Sequence, residues 1–462
     1  MDLVEQLNRI FFPGAVAVIG ASANPQKVGY ICVANLVEAG FRGRIYPVNP
    51  NLSQLLGLKV YPSIEAIPDA VDLAMIVIPA ELVIPAVEEC AAKGVTGVIV
   101  ISSGFKEVDT GTGRDLQTRL RDIANRSGIR IMGPNTVGFV NPRAKLVASF
   151  QTTLQMSQPG NVGIATQSGG MCSYLVHALT NHNTGISKAI GMGNRCNLDF
   201  DEIVSYFSQD TETDVIILYI EGLEQPERLM AVARETVRRK PILVYKGGRS
   251  QDSSRATLSH TGALAGNQAL YKAAFTQSGI ININDITDIV DTAKALALQS
   301  PTAGNRIAVL SVQAGGGIII ADRCRELGLK LAAFSPATRE RLKSLASPLN
   351  SIDNPVDIAW KSDEYDASRE ILKTVLEDEG VDAAIVAALY YASNMQLIQA
   401  VIDTAGEYKK PVTVCLDSPL GAASSQLEAL ERSHIPAYSL PERAVTGMAG
   451  LVKYGEIIRS MR

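Results

Sequence analysis

The sequence predicts three consecutive doubly wound α/β domains, and three observations carry that prediction. Short β-branched runs recur along the 462 residues, at 15–19, 73–78, 97–101, 162–165, 215–220, 242–245, 307–312, 383–388 and 412–415. They read as continuous apolar segments, as strands buried in a parallel sheet do. Helical patterns lie between most of them, the alternation that puts helices on both faces of such a sheet. Two polar stretches, Gln155-Met156-Ser157-Gln158-Pro159-Gly160 and Ser300-Pro301-Thr302-Ala303-Gly304-Asn305, punctuate the pattern. They leave segments of about 150 residues, each the size of one core. The expected domains are therefore 1–154, 155–303 and 304–462.

Composition narrows the function classes. Hydrophobic residues make up 46% and charged residues 19%, which describes a globular chain and not a disordered one. The net charge is −4 and no basic tract occurs, which argues against nucleic acid or an anionic membrane as partner. No apolar run reaches about 18 residues. The start, Met1-Asp2-Leu3-Val4-Glu5, lacks a charged-then-apolar signal pattern, so neither a spanning segment nor a leader is expected. The six cysteines form no CxxC pair. That argues against a metal site and fits the reduced thiols of a cytoplasmic protein.

The first segment opens with a strand that runs into Gly20-Ala21-Ser22, then Lys27 and a helical pattern. A small-residue turn before a helix N-terminus aims backbone N–H groups at a phosphate or pyrophosphate. No GxGxxG is present, and the next strand ends in Asn49-Pro50-Asn51 where a nicotinamide site carries an acid. A neutral residue there suits a nucleotide whose ribose bears a phosphate, such as coenzyme A. A plain Gly-rich turn without a ligand is the bland alternative.

The second segment holds a similar turn, Gln167-Ser168-Gly169-Gly170, between a strand and a helix. It is either a second anion site or an ordinary turn with Ser168 as N-cap. Glu221 ends the run 215–220, which places its carboxylate in the crevice at the strand ends. The run 242–245 leads through Lys246-Gly247-Gly248 toward Ser259-His260-Thr261-Gly262-Ala263-Leu264-Ala265-Gly266. This loop carries one of only four histidines, among small neighbours. A neutral imidazole there can act as a nucleophile, with Glu221 holding its other ring nitrogen. No P-loop GxxxxGK[ST] is present.

The third segment reads as a degenerate copy of the second. Gln313-Ala314-Gly315-Gly316 matches Gln167-Ser168-Gly169-Gly170, and Lys410-Pro411-Val412 matches Lys240-Pro241-Ile242. Both segments are expected to share a flavodoxin-like plan. No histidine follows the Lys-Pro strand of the copy at the place of His260, so this domain is expected to be non-catalytic.

Taken together, these segments resemble the α-subunit type of the nucleoside-diphosphate-forming acyl-CoA synthetases, the superfamily of succinyl-CoA synthetase and the ADP-forming acetyl-CoA synthetases. The resemblance implies a Rossmann-like CoA-binding domain followed by two flavodoxin-like doubly wound domains. It implies coenzyme A held by Gly20, Ala21, Ser22, Lys27, Asn49, Ile78, Pro79, Ser103, Gly104 and Asn135. It further implies phosphate held by Ser168, Gly169, Gly170 and Gly262, a phosphohistidine at His260, and Glu221 as the acid that orients it. Asn354-Pro355-Val356-Asp357 resembles a motif of the third domain in the ADP-forming branch. One departure is Gln313, where the family usually has Asn-Ala-Gly-Gly.

The expected reaction is acyl-CoA + ADP + phosphate ⇌ carboxylate + CoA + ATP, through an acyl phosphate. No ATP-grasp segment is evident, so ATP or ADP and Mg2+ are expected on a separate ATP-grasp β subunit, in an αβ or α2β2 assembly. A small carboxylic acid is the expected substrate. The rival readings are a CoA- or acyl-CoA-sensing regulatory protein on the same fold and an NAD-dependent dehydrogenase.

Overall fold

The N-terminal sheet begins with β1 (Ala15–Ile19) and β2 (Arg44–Val48). A short antiparallel ribbon, β3 (Gln54–Leu55) with β4 (Leu58–Lys59), precedes β5 (Leu73–Ile76), β6 (Gly97–Val100) and β7 (Arg130–Met132). The computed structural model describes residues 2–108, 110–250, 268–347, 350–390, 395–419 and 421–461. The sheet order is β2-β1-β5-β6-β7, all parallel. Strands β1, β5 and β6 are buried at every position, which is why they read as unbroken apolar runs. With β2 on one side of β1 and β5 on the other, a crevice opens at the carboxyl ends of β1 and β5. Val77 and Ile78, expected to prolong β5, lie beyond its end.

The second sheet has seven strands. They are β8 (Gly138–Asn141), β9 (Leu146–Ser149), β10 (Pro159–Thr166), β11 (Ile186–Gly191), β12 (Val215–Ile220), β13 (Ile242–Lys246) and β14 (Ile281–Asn282). Their order is β14-β13-β12-β10-β11-β8-β9. The antiparallel hairpin β8–β9 precedes residue 154 yet joins this sheet through β11. The N-terminal helix, Leu3–Phe11, also packs here, with Phe11 edge-on to Phe139 at 5.0 Å and Asn8 accepting from the Tyr206 hydroxyl at 3.1 Å. Both sheets belong to one compact unit, Met1–Asn284. Strand β12 lies beside β10 while β11 takes the other side, so a second crevice opens at the carboxyl ends of β10 and β12.

The second compact unit, Asp285–Arg462, is built on β15 (Arg306–Ser311), β16 (Lys330–Leu331), β17 (Val356–Asp357), β18 (Ala383–Leu389), β19 (Val412–Asp417) and β20 (Ala437–Tyr438). The order β16-β15-β18-β19-β20 repeats β11-β10-β12-β13-β14, which is the internal duplication seen in the sequence. The unit starts ahead of residue 304 because helix Ile286–Leu298 packs on helix Pro441–Ser460. Buried Asp291 pairs with Arg443 at 2.6 Å, and buried Lys294 pairs with Glu431. Among the described residues no helix is long and apolar enough to cross a membrane.

Candidate functional site

The turn after β1 can form only because its residues are small. Gly20 has φ +94°, and a Cβ on it would run into the Val77 carbonyl. Gly29 sits in the first turn of helix Val28–Glu38, and a Cβ there would strike the Gly20 carbonyl. The two glycines let the helix start settle onto the end of β1. Asn49 then pins the turn, donating from Nδ2 to the Ala21 carbonyl at 2.7 Å. Its Oδ1 accepts from the Asn51 N–H at 2.8 Å. On the other side, the Ser102 hydroxyl donates to the Ile78 carbonyl at 2.5 Å.

A cavity of about 890 Å³ opens above this turn. Gly20, Ala21, Ser22, Lys27, Asn49, Ile78, Pro79, Ser103 and Asn135 line one part, and Ser168, Gly169 and Gly170 line another. Helix Gly169–Asn181 starts here, with the Ser168 hydroxyl accepting from the Met171 N–H at 3.5 Å. Two helix N-termini and one lysine thus share a cavity of ligand-binding size, an arrangement suited to an extended anion. Asn135 has φ +57°, and its Nδ2 donates to Asn194 Oδ1 at 3.3 Å. Asn194 Nδ2 donates in turn to Glu107 Oε2 at 2.5 Å and to Gln117 Oε1 at 3.0 Å. Gly104 falls outside the lining, and its N–H donates to Glu107 Oε1 at 2.6 Å.

Glu221 is 7% exposed, at the end of β12, and does not line the cavity. Its N–H and that of Gly222 both donate to Gln167 Oε1, at 3.0 and 3.2 Å. Its carbonyl accepts from Lys246 Nζ at 2.7 Å, and that ammonium also donates to the Gly247 carbonyl at 2.6 Å. Burial pushes the Lys246 ammonium down to about 8, against the opposing pull of the Glu221 charge. Nζ lies 4.8 Å from the centre of the Tyr271 ring. Burial, then the nearby Glu221 charge, pushes the Tyr219 hydroxyl up to about 12. Arg195 Nη2 donates to the Gly222 carbonyl at 2.9 Å. His260 and Gly262 lie outside the described residues.

Residues 14–142 match the family model described as a CoA binding domain, and residues 159–296 match the succinyl-CoA ligase like flavodoxin domain. Over 97% of its length, and 97% of the relative's, the chain is 37% identical to subunit alpha of acetate–CoA ligase (ADP-forming) II of Pyrococcus furiosus. The chain belongs to the ADP-forming acetate–CoA ligase family. A second family member, acetate–CoA ligase (ADP-forming) I of Archaeoglobus fulgidus, is 37% identical over 98% of this chain, and the chain spans 64% of that protein. The solved dinucleotide forming acetyl-coenzyme A synthetase 1 of Candidatus Korarchaeum cryptofilum, in complex with phosphate and ADP, has a TM-score of 0.89 at 34% identity, covering 98% of each chain.

In this ADP-forming ligase family member, the structure gathers twelve of the expected site residues around one cavity and leaves Gly104 and Glu221 just beyond it. Sequence reasoning does not point to Phe150, Gly193 or Asn194, which also form the wall. Phe150 follows β9 and Gly193-Asn194 follow β11, strands whose sequences carry no site motif. Arg195 and Tyr271, on the Glu221 side, are likewise silent in the sequence. Among the described residues no cluster of three or more His, Cys, Asp or Glu side chains could hold a metal.

Proposed function

We propose that the chain is the α subunit of an ADP-forming acyl-CoA synthetase, interconverting acyl-CoA, ADP and phosphate with a carboxylate, CoA and ATP. The observation that carries this reading is the shared cavity: the Gly20 turn and the Ser168 helix start line one space. CoA phosphates lie at Gly20, Ala21, Ser22 and Lys27 in the module 1–154, with Asn49, Ile78, Pro79, Ser103, Gly104 and Asn135 along the rest of the cofactor. The thiol end is then directed at Ser168, Gly169 and Gly170 in the module 155–303. Phosphate held there attacks the thioester carbonyl, CoA leaves as the thiol, and an acyl phosphate forms. His260 takes the phosphoryl group and frees the carboxylate, with Gly262 giving room for the phosphoryl oxygens. Glu221 accepts from the far ring nitrogen and fixes the tautomer that attacks. Charge stabilisation by helix N-termini is what phosphoryl transfer chiefly asks of a protein.

ATP or ADP and Mg2+ belong to an ATP-grasp β partner in an αβ or α2β2 assembly, a reading supported by relatives named as alpha subunits. The module 304–462 is non-catalytic. The six cysteines are buried and free, which supports a cytoplasmic site of action. Calorimetry on the full chain with CoA and with NADH tests the cofactor assignment: CoA binds and NADH does not. NADH binding without CoA binding contradicts it. A sensing role is a poorer fit, since such a protein has little need of both Glu221 and His260.

A further inference from the structure

Resting on the ligase reading, in which Glu221 orients the histidine, we propose that Gln167 is a positioning residue for Glu221. Its side chain locks the Glu221 turn to the helix start that holds phosphate. Oε1 accepts from two successive N–H groups, those of Glu221 at 3.0 Å and Gly222 at 3.2 Å. The Gln167 N–H itself donates to the Tyr219 carbonyl at 3.0 Å. Backbone and side chain therefore both tie the end of β10 to the end of β12. The residue is 5% exposed, and Ser168, the next in the chain, caps helix Gly169–Asn181.

The opposite side of the same turn is held as well. Arg195 donates to the Gly222 carbonyl at 2.9 Å and Lys246 to the Glu221 carbonyl at 2.7 Å. Glutamine has the reach and the acceptor that this place requires. An apolar residue would leave two buried donors without a partner. Phosphoryl transfer depends on position, and a displacement of about 1 Å can cost on the order of 100-fold in rate. A side chain that sets the spacing between the phosphate site and Glu221 therefore controls kcat without touching the reacting atoms.

A double-mutant cycle tests this. Gln167→Met, Glu221→Gln and the double variant are assembled with the partner subunit, and kcat and the KM for CoA are measured. Gln167→Met lowers kcat by roughly 10- to 100-fold. In the Glu221→Gln background the same change costs less than about threefold, because its effect runs through Glu221. Losses that simply multiply overturn the proposal. Amide hydrogen exchange on the unassembled chain reads the same clamp without activity. The Glu221 and Gly222 amides are protected in wild type and exchange faster in Gln167→Met, and unchanged exchange is the contrary result. Should the methionine variant not fold, Gln167→Asn keeps the acceptor but withdraws it by one bond, and serves in both measurements. A wild-type assembly without turnover contradicts the ligase reading, and this inference with it. Turnover with multiplicative losses contradicts the clamp alone.

Discussion

Lys246 shows how much chemistry a single buried side chain can hide. In the sequence it is one lysine in a Lys-Gly-Gly turn; in the fold it is 3% exposed, and both its hydrogen bonds go to carbonyls. Its ammonium titrates at about 8 in the fold, while an unfolded chain holds that proton to about 10.4. Between those values the unfolded chain binds more protons, so the contribution of Lys246 to unfolding free energy rises with pH. Below about pH 8 the charged form is buried in full and costs most. The stability of wild type relative to Lys246→Met should therefore improve from pH 8 to pH 10, measured by denaturant unfolding at each pH. A difference that stays flat across this range would show that the lysine is not desolvated as described. The hold that Gln167, Arg195 and Tyr271 have on the turn after β12 is equally hard to read. Each bonds to a backbone group of the turn 221–223, distant in the sequence, and no local spacing encodes those contacts.

Among the elements, buried strands with a long unbroken apolar run are legible, and buried strands that are short or carry a charge are not. Strands β1, β12 and β18 appear in the sequence because almost every position is apolar. Strand β11 is not legible as an apolar run because Lys188 sits in its middle. That lysine is fully buried and offset by Asp210 at 2.8 Å and Glu212 at 3.0 Å, partners more than 20 residues away. The β8–β9 hairpin leaves no clear mark in the sequence because its strands have four residues each and join a sheet formed mostly by later sequence. The turn after β1 was legible, since its small residues are a local need. Docking of helix Val28–Glu38 on that turn yields a sharp expectation. Gly29→Ala places a methyl against the Gly20 carbonyl, a backbone atom that can yield only by moving the turn. We expect a destabilisation of about 1–3 kcal/mol together with at least tenfold weaker CoA binding by calorimetry. Wild-type affinity in this variant would separate the turn from the cofactor.

At the scale of the molecule, duplication explains the likeness between the second and third sheets. Five strands of each run in the same order, and a Gln-small-Gly-Gly turn follows β10 in one and β15 in the other. The copy in Asp285–Arg462 lacks the histidine, and Asp357 closes its short β17 instead. Gln313→Ala and Asp357→Asn should therefore leave phosphorylation of the chain intact in a folded assembly. Loss of labelling in either would give the third domain a direct chemical role. The central claim concerns His260, which falls in the sequence between β13 and β14. The most direct measurement is label uptake from labelled ATP with the partner subunit, or from acyl-CoA with labelled phosphate. Wild type takes up label that is acid-labile and base-stable, His260→Ala takes up none, and Glu221→Gln takes up less. Label that persists in His260→Ala, or that survives acid, would contradict a phosphohistidine mechanism.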